Sequence, residues 1–180
     1  MTDDLLERAI AYLLAALPDA RADLDGPTPC HDWNLRMLLA HIDESLTALR
    51  EGFGHGRVCH TPTAPRAVRA GAPPIRMRAT GLLGDWTNAR PTHVTVDGRP
   101  IPVPLFSAVA ALELTVHAWD LTAATHTPTP IPHHLARELL TVAPQLVPPT
   151  DRHPLFAPPL PTPTTTPSNV LLAYLGRAPR

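Results

Sequence analysis

The stretch Leu105–Thr125, PLFSAVAALELTVHAWDLTAAT with its leading proline, is the most apolar run in the chain and carries three ionisable residues inside it: Glu113, His117 and Asp120. It is long enough for a buried helix, and its polar residues cannot all be turned away from a core. Glu113 and His117 are four apart, so on a helix they leave the same face. On a helical wheel, Leu105, Val109, Leu112, Val116 and Trp119 centre the apolar face, with Glu113, His117 and Asp120 on its flank. The small, mildly polar face is Ala111, Thr115, Ala118 and Thr122. An inward carboxylate is costly unless it is paired or bound to a cation. That cost, beside an imidazole one turn away, points to a metal.

A third donor comes from WNLRMLLAHIDESL, a separate helical pattern whose core stripe is Leu35, Leu38, Leu39, Ile42, Leu46 and Leu49. His41 lies on the shoulder of that stripe, near Met37 and Ser45 and opposite Arg36, Asp43 and Arg50. His41, Glu113 and His117 would together give two imidazoles and one carboxylate. Such a set leaves coordination positions open, which a catalytic site needs and a structural zinc site lacks. Asp120 is placed to accept a hydrogen bond from a ligand imidazole. The competing interpretation is a satisfied core histidine beside an ordinary helical Glu–His pair, with Asp120 bonding within its own helix.

The remaining pattern is mainly α. Leu5 to Leu17 reads as a first helix, with Leu5, Ala9, Leu13 and Ala16 at helical spacing, Asp3 or Asp4 as cap and Pro18 beyond its end. The second runs from Asp32–Asn34 to about Glu51, stopped by Gly52 and Gly54. Residues 54–74 form a long loop without periodicity, the sort of segment that serves as a lid. A third helix covers Met77 to Ala89, weakened by Gly81 and Gly84. THVTVDGRPIPV alternates around Asp97-Gly98 and predicts a short hairpin. A fifth helix spans Pro132 to Val147, and the Pro- and Thr-rich stretch 148–167 is extended. SNVLLAYLG closes the chain as a short helix, Ser168 its cap and Gly176 its stop. Most of the 24 prolines fall in connectors. The expectation is a single domain over residues 1–180: a four-helix bundle with a β-hairpin and a Pro-rich C-terminal extension.

Bulk properties exclude several roles. The net charge is -1 with no basic block, so phosphate neutralisation has no footprint and nucleic acid is not an expected partner. No apolar run approaches the roughly 20 residues that span a bilayer, and MTDDLLERA is acidic, unlike a signal peptide. The expected location is the cytoplasm, with Cys30 and Cys59 reduced. There is no lysine, which removes Schiff-base catalysis. Other polar candidates rank below the triad. His55 and His60 flank Cys59 in the long loop, His133 and His134 open the fifth helix, and Arg152 and His153 precede the Pro-rich stretch, where a surface turn is the preferred reading.

TPCHDWNLRMLLAHI (28–42), ELTVHAWDLTAAT (113–125) and LLAYLGRAPR (171–180) together resemble the DinB-like metal-binding superfamily. Within it they resemble actinobacterial proteins related to the N-terminal domain of mycothiol-dependent maleylpyruvate isomerase. The resemblance spans nearly the whole chain. It implies a four-helix bundle holding a divalent ion, zinc first with iron or nickel as alternatives. The ligand set it implies maps onto His41, Glu113 and His117, and its motif also matches Cys30, Trp33, Trp119 and Asp120. Cys30 and the two tryptophans read as structural. His31 departs from the motif, and the isomerase carries a further C-terminal domain where this chain stops.

The implied activity is that of a metal-dependent transferase or isomerase acting on a small molecule, with mycothiol or another thiol as cosubstrate and a place in secondary metabolism. A metal-bound thiol or water loses its proton more readily, giving S-transfer, thiol-assisted isomerisation or hydrolysis. Two other classes fit the donors: a non-haem Fe(II) oxygenase, and a non-catalytic metal- or ligand-binding protein. Monomer and homodimer are both compatible with the sequence.

Overall fold

The computed structural model describes residues 4–18, 22–30, 32–59, 72–125, 128–150, 152, 156–163 and 165–178. The described residues form six helices and a small sheet: α1 (Leu5–Ala16), α2 (Leu35–His55), β1 (Arg57–Val58), α3 (Ala72–Thr87), β2 (His93–Val96), β3 (Arg99–Pro102), α4 (Val103–Ala124), α5 (His133–Leu146) and α6 (Pro167–Tyr174). The protein is mainly helical, as its apolar spacing predicts. No helix among the described residues is long and apolar enough to cross a membrane.

α4 is the central element. α1 packs along it, α2 and α5 also lie against it, and α3 joins α2 to α1. The sequence wheel put the core on one face of α4, and the packing corrects this. Ala111, Thr115, Ala118 and Thr122, assigned to the polar side, are buried, whereas Leu105 and Val109 are half exposed. A helix with neighbours on several sides needs apolar or small residues nearly all round. Small side chains also let α1 approach closely: Tyr12 lies beside Thr122 and donates its hydroxyl to the Thr129 carbonyl at 2.6 Å.

α2 starts where Asn34 accepts the Met37 N–H at 2.9 Å, as an N-cap does. It does not stop at Gly52. It continues to His55, where Gly56 takes the left-handed conformation (φ 70°) and bonds back to the Gly52 carbonyl at 2.9 Å. Gly52 is there for space: a Cβ at that position would meet the Phe106 ring at 2.6 Å. Asp43, expected to face solvent, is instead buried and pairs with Arg78 of α3 at 3.0 Å.

The predicted hairpin forms around Asp97 (φ 47°) and Gly98 (φ 77°), both left-handed as a two-residue turn of this kind requires. β1 adds in parallel to β2, giving the order β1-β2-β3, a strand the loop reading of 54–74 did not contain. Pro100 and Pro102 are tolerated because β3 is an edge strand. α3 begins about a turn earlier than predicted, within that same stretch. Residues 60–71, with His60, lie outside the described residues.

α5 and α6 pack together. Ser168, expected as a helix cap, is buried inside α6 and accepts the Ile131 N–H at 3.0 Å. Gly176 (φ 77°) follows the helix as its stop, and this turn directs Arg177 back into the protein.

Candidate metal centre

α2 and α4 bring His41, Glu113 and His117 together. One donor atom from each lies within 4.8 Å of the others. His41 Nε2 is 2.7 Å from Glu113 Oε1, and His117 Nε2 is 3.4 Å from the same oxygen. Ser45, one turn after His41, donates its hydroxyl to that oxygen at 3.1 Å. The two imidazoles meet edge to face with centroids 4.8 Å apart. Donors at about 2.0–2.2 Å from one ion sit roughly 3–3.5 Å from each other. Two nitrogens and one carboxylate oxygen, all within 4.8 Å of one another, are close to that spacing and could hold a divalent ion.

The three donors differ in exposure. The His117 side chain is 11% exposed, while His41 and Glu113 are 34% and 29% exposed. One side of the group is thus open to solvent.

Behind His117 lies a second, buried layer. The His117 Nδ1–H donates to Asp120 Oδ2 at 3.0 Å. Asp120 is fully buried and also accepts Arg177 Nη2–H at 3.0 Å, a longer Nε–H bond at 3.3 Å, and the Cys30 thiol at 3.1 Å. Cys30, His117 and Asp120 form a second group with metal-ligand chemistry. The Arg177 guanidinium already balances the charge of this group, which makes the open face the better place for a cation.

Burial opposes the ionised form of Glu113, but the His117 charge and bonds from His117 and His41 outweigh it and hold the carboxyl well below its usual range. Burial likewise opposes a charged His117. Glu113, then Asp120 and Cys30, outweigh that and hold the imidazole well above its ordinary value. Asp120 is lowered despite its burial, chiefly by Arg177.

The loop before α2 aims two further side chains. The Thr28 hydroxyl donates to the Trp33 carbonyl at 2.9 Å and accepts the Cys30 N–H at 3.2 Å, folding TPC-x-x-W into a closed turn. Trp33 then lies over the site, 4.8 Å from His41 and 6.2 Å from His117 between ring centroids. Trp119 is a core residue.

The other candidates fall elsewhere. Cys59 is exposed at the end of β1, its N–H bonded to Glu51, with His55 and Arg57 around the same depression. His133 and His134 stand exposed at the start of α5. Arg152 is buried, against the surface-turn reading: it donates to the Tyr174 carbonyl at 2.7 Å and stacks over the Tyr174 ring. His31 and His153 lie outside the described residues. Arg177 was not singled out from sequence. Its only trace is a place just after Gly176, inside the third stretch that carries the resemblance.

No family model matches this chain, and no solved structure matches it. Two curated proteins do: "Uncharacterized protein MT0763" of Mycobacterium tuberculosis (strain CDC 1551 / Oshkosh) and "Uncharacterized protein Rv0738" of Mycobacterium tuberculosis (strain ATCC 25618 / H37Rv). Each is 32% identical over 181 aligned residues, covering 97% of this chain and 96% of the relative. At that identity over nearly the full length of both partners, this chain belongs to the same family as these two mycobacterial proteins.

Proposed function

We propose that this chain is a metal-dependent enzyme of the DinB-like superfamily, acting on a small molecule by thiol-dependent S-transfer or isomerisation. The observation that carries the reading is the double use of His117. Its Nδ1–H is given to buried Asp120, while its Nε2 faces Glu113 and His41 on the open side. An imidazole held in that orientation is a pre-set ligand. His41, Glu113 and His117 would hold the ion, zinc first. When bound, a divalent ion of this type lowers the pKa of a thiol or water placed on it.

The chain's own groups supply the rest. Glu113 contributes the negative charge that offsets the ion. Ser45 fixes one oxygen of Glu113 and so orients the carboxylate. Trp33 covers the two imidazoles and limits water on that side. Asp120 and Arg177 are paired behind the ligand layer, so neither is free to move a proton at the open face. Mycothiol is the proposed cosubstrate on the strength of the sequence resemblance.

Elemental analysis of purified protein beside His117→Ala tests this. About one equivalent of zinc in the wild type, lost in the variant, supports the centre and leads to assays with thiols and electrophiles. Iron would favour an oxygenase. No metal in either, even after reconstitution, overturns the reading.

A further inference from the structure

Five large apolar side chains stand exposed among the described residues: Met37, Met77, Leu105, Val109 and Leu160. Three of them flank the candidate ligands. Met37 is one turn before His41 on α2, and Val109 is one turn before Glu113 on α4, with Leu105 a turn further back. Residues four apart share a helix face, so each set lies on the side of its helix that carries a donor. α2 and α4 run in opposite directions here: Ser45 meets Glu113, while Phe53, further along α2, meets Phe106, further back on α4. Met37 therefore lies on one side of the donors, and Val109 and Leu105 on the other. The three are 46%, 43% and 44% exposed. Trp33, partly buried against the core, extends the apolar strip on the Met37 side.

Single exposed apolar residues need no explanation, but a strip running through a set of polar donors has the composition of a ligand surface. Its charge narrows the choice. α4 contains no arginine. The two on α2 are held elsewhere, Arg36 by Asp25 and Arg50 by Asp85. Arg177 is committed to Asp120 behind His117. Glu44, exposed on α2, adds a negative charge near the strip. Among the described residues, α2 and α4 thus present no uncommitted arginine to attract an anionic ligand body.

We infer that the substrate carries an uncharged, apolar body that lies along the Val109–Leu105 side of the strip, joined to a head that reaches the His41–Glu113–His117 group. This inference rests on the metal reading above. It limits the substrate to small molecules with a hydrocarbon or aromatic portion next to the metal-binding atom.

The test uses cobalt(II)-loaded full-length protein and two hydroxamic acids with the same metal-binding head, acetohydroxamic and octanohydroxamic acid. The visible absorption of the cobalt first reports whether the centre forms, then reports each binding constant. Each buried methylene strengthens binding by about threefold to fourfold, so burying two gives roughly tenfold. Octanohydroxamic acid should bind at least tenfold tighter than acetohydroxamic acid. Val109→Asn with Leu105→Asn should remove most of that gain and leave acetohydroxamic acid unchanged. The succinic acid monohydroxamate, with a charged body, should bind no better than acetohydroxamic acid. Equal affinities, or a gain that survives both substitutions, overturn the apolar body while leaving the metal centre standing. A strip buried between two copies of the chain, shown by a dimer that the double substitution dissociates, also overturns it. Failure to take up cobalt at all removes the metal reading and this inference with it.

Discussion

Asp120 and His117 meet at 3.0 Å, Oδ2 to Nδ1, leaving the other ring nitrogen 3.4 Å from Glu113. One buried carboxylate thus selects which nitrogen of the imidazole faces the open side. Arg177 holds that carboxylate from the opposite direction at 3.0 Å. The last turn of the described chain is thereby tied to a residue near the C-terminal end of α4.

Replacing Asp120 with Asn should therefore weaken the centre without removing a donor. Loss of a carboxylate that orients a ligand histidine typically costs about 10–100-fold in metal affinity. Zinc affinity by chelator competition should fall by that order. Arg177→Met should move it the same way by a smaller amount, because Asp120 remains but loses its partner. Zinc affinity of Asp120→Asn equal to wild type would show that the contact is structural only.

Metal binding should stabilise the fold. A ligand at 100 times its dissociation constant adds about 2.7 kcal/mol if it binds the native state alone. The melting temperature should rise on adding zinc, return on adding chelator, and stay fixed throughout in His117→Ala. The pH dependence has a definite sign. In the metal-free protein His117 holds its proton well above the ordinary histidine range, because Glu113 and Asp120 outweigh its burial. Zinc must displace a proton from Nε2, so its affinity should rise with pH through and above the ordinary histidine value and fall in acid. An affinity flat from pH 6 to 8 would contradict the assignment of His117 as a ligand.

The shared inward placement of Glu113 and His117 was legible because ionisable residues inside an apolar helix are rare and expensive, so their spacing carries information. What lies around them was not. Arg177 belongs to no periodic pattern, and only the turn at Gly176 returns it to Asp120. The burial of Thr122 was hidden for a related reason: a hydroxyl that bonds within its own helix, as Thr122 does to the Trp119 carbonyl, can be buried cheaply, so residue type does not reveal it. Asp43 misled in the opposite direction. A charge on a helix reads as a solvent face until Arg78 arrives from a different helix. Ser168 had the residue type and position of a cap, but its hydroxyl accepts the Ile131 N–H from the segment that leads into α5.

Tyr12 predicts a loss of stability in alkali. Burial, aided by the charge of Asp120, raises its phenol above the usual tyrosine range. The native state therefore keeps the proton more tightly than the unfolded chain. That contribution is complete below about pH 10, the unfolded value, and declines as the pH rises above it, by up to about 1.4 kcal/mol per unit. The chain has no lysine, so no ammonium group titrates in that window, and Tyr174 is the only other tyrosine. Tyr12→Phe should be less stable at neutral pH by about 1 kcal/mol through loss of the bond to Thr129. It should also decline less steeply above pH 10 in urea titrations. Parallel curves for the two proteins would remove Tyr12 as the cause.

Gly52 and Gly54 sit two residues apart in the same helix, and substituting them should have opposite effects. In a helix interior Ala is favoured over Gly by about 1 kcal/mol. At Gly54 a Cβ meets nothing within 4 Å, so Gly54→Ala should be stabilising by up to that amount. At Gly52 the same methyl would press on the Phe106 ring at 2.6 Å and on Val94 at 3.1 Å. Phe106 is buried and packs edge-on against Phe53 at 5.0 Å, so the ring has little room to withdraw. Overpacking of this kind costs about 1–3 kcal/mol, which exceeds the helical gain. Gly52→Ala should therefore be net destabilising. Chemical denaturation of the two single variants decides it: a stabilised Gly52→Ala would mean that α2 and α4 can separate locally, and that the distance between His41 and Glu113 is less tightly held than their contact implies.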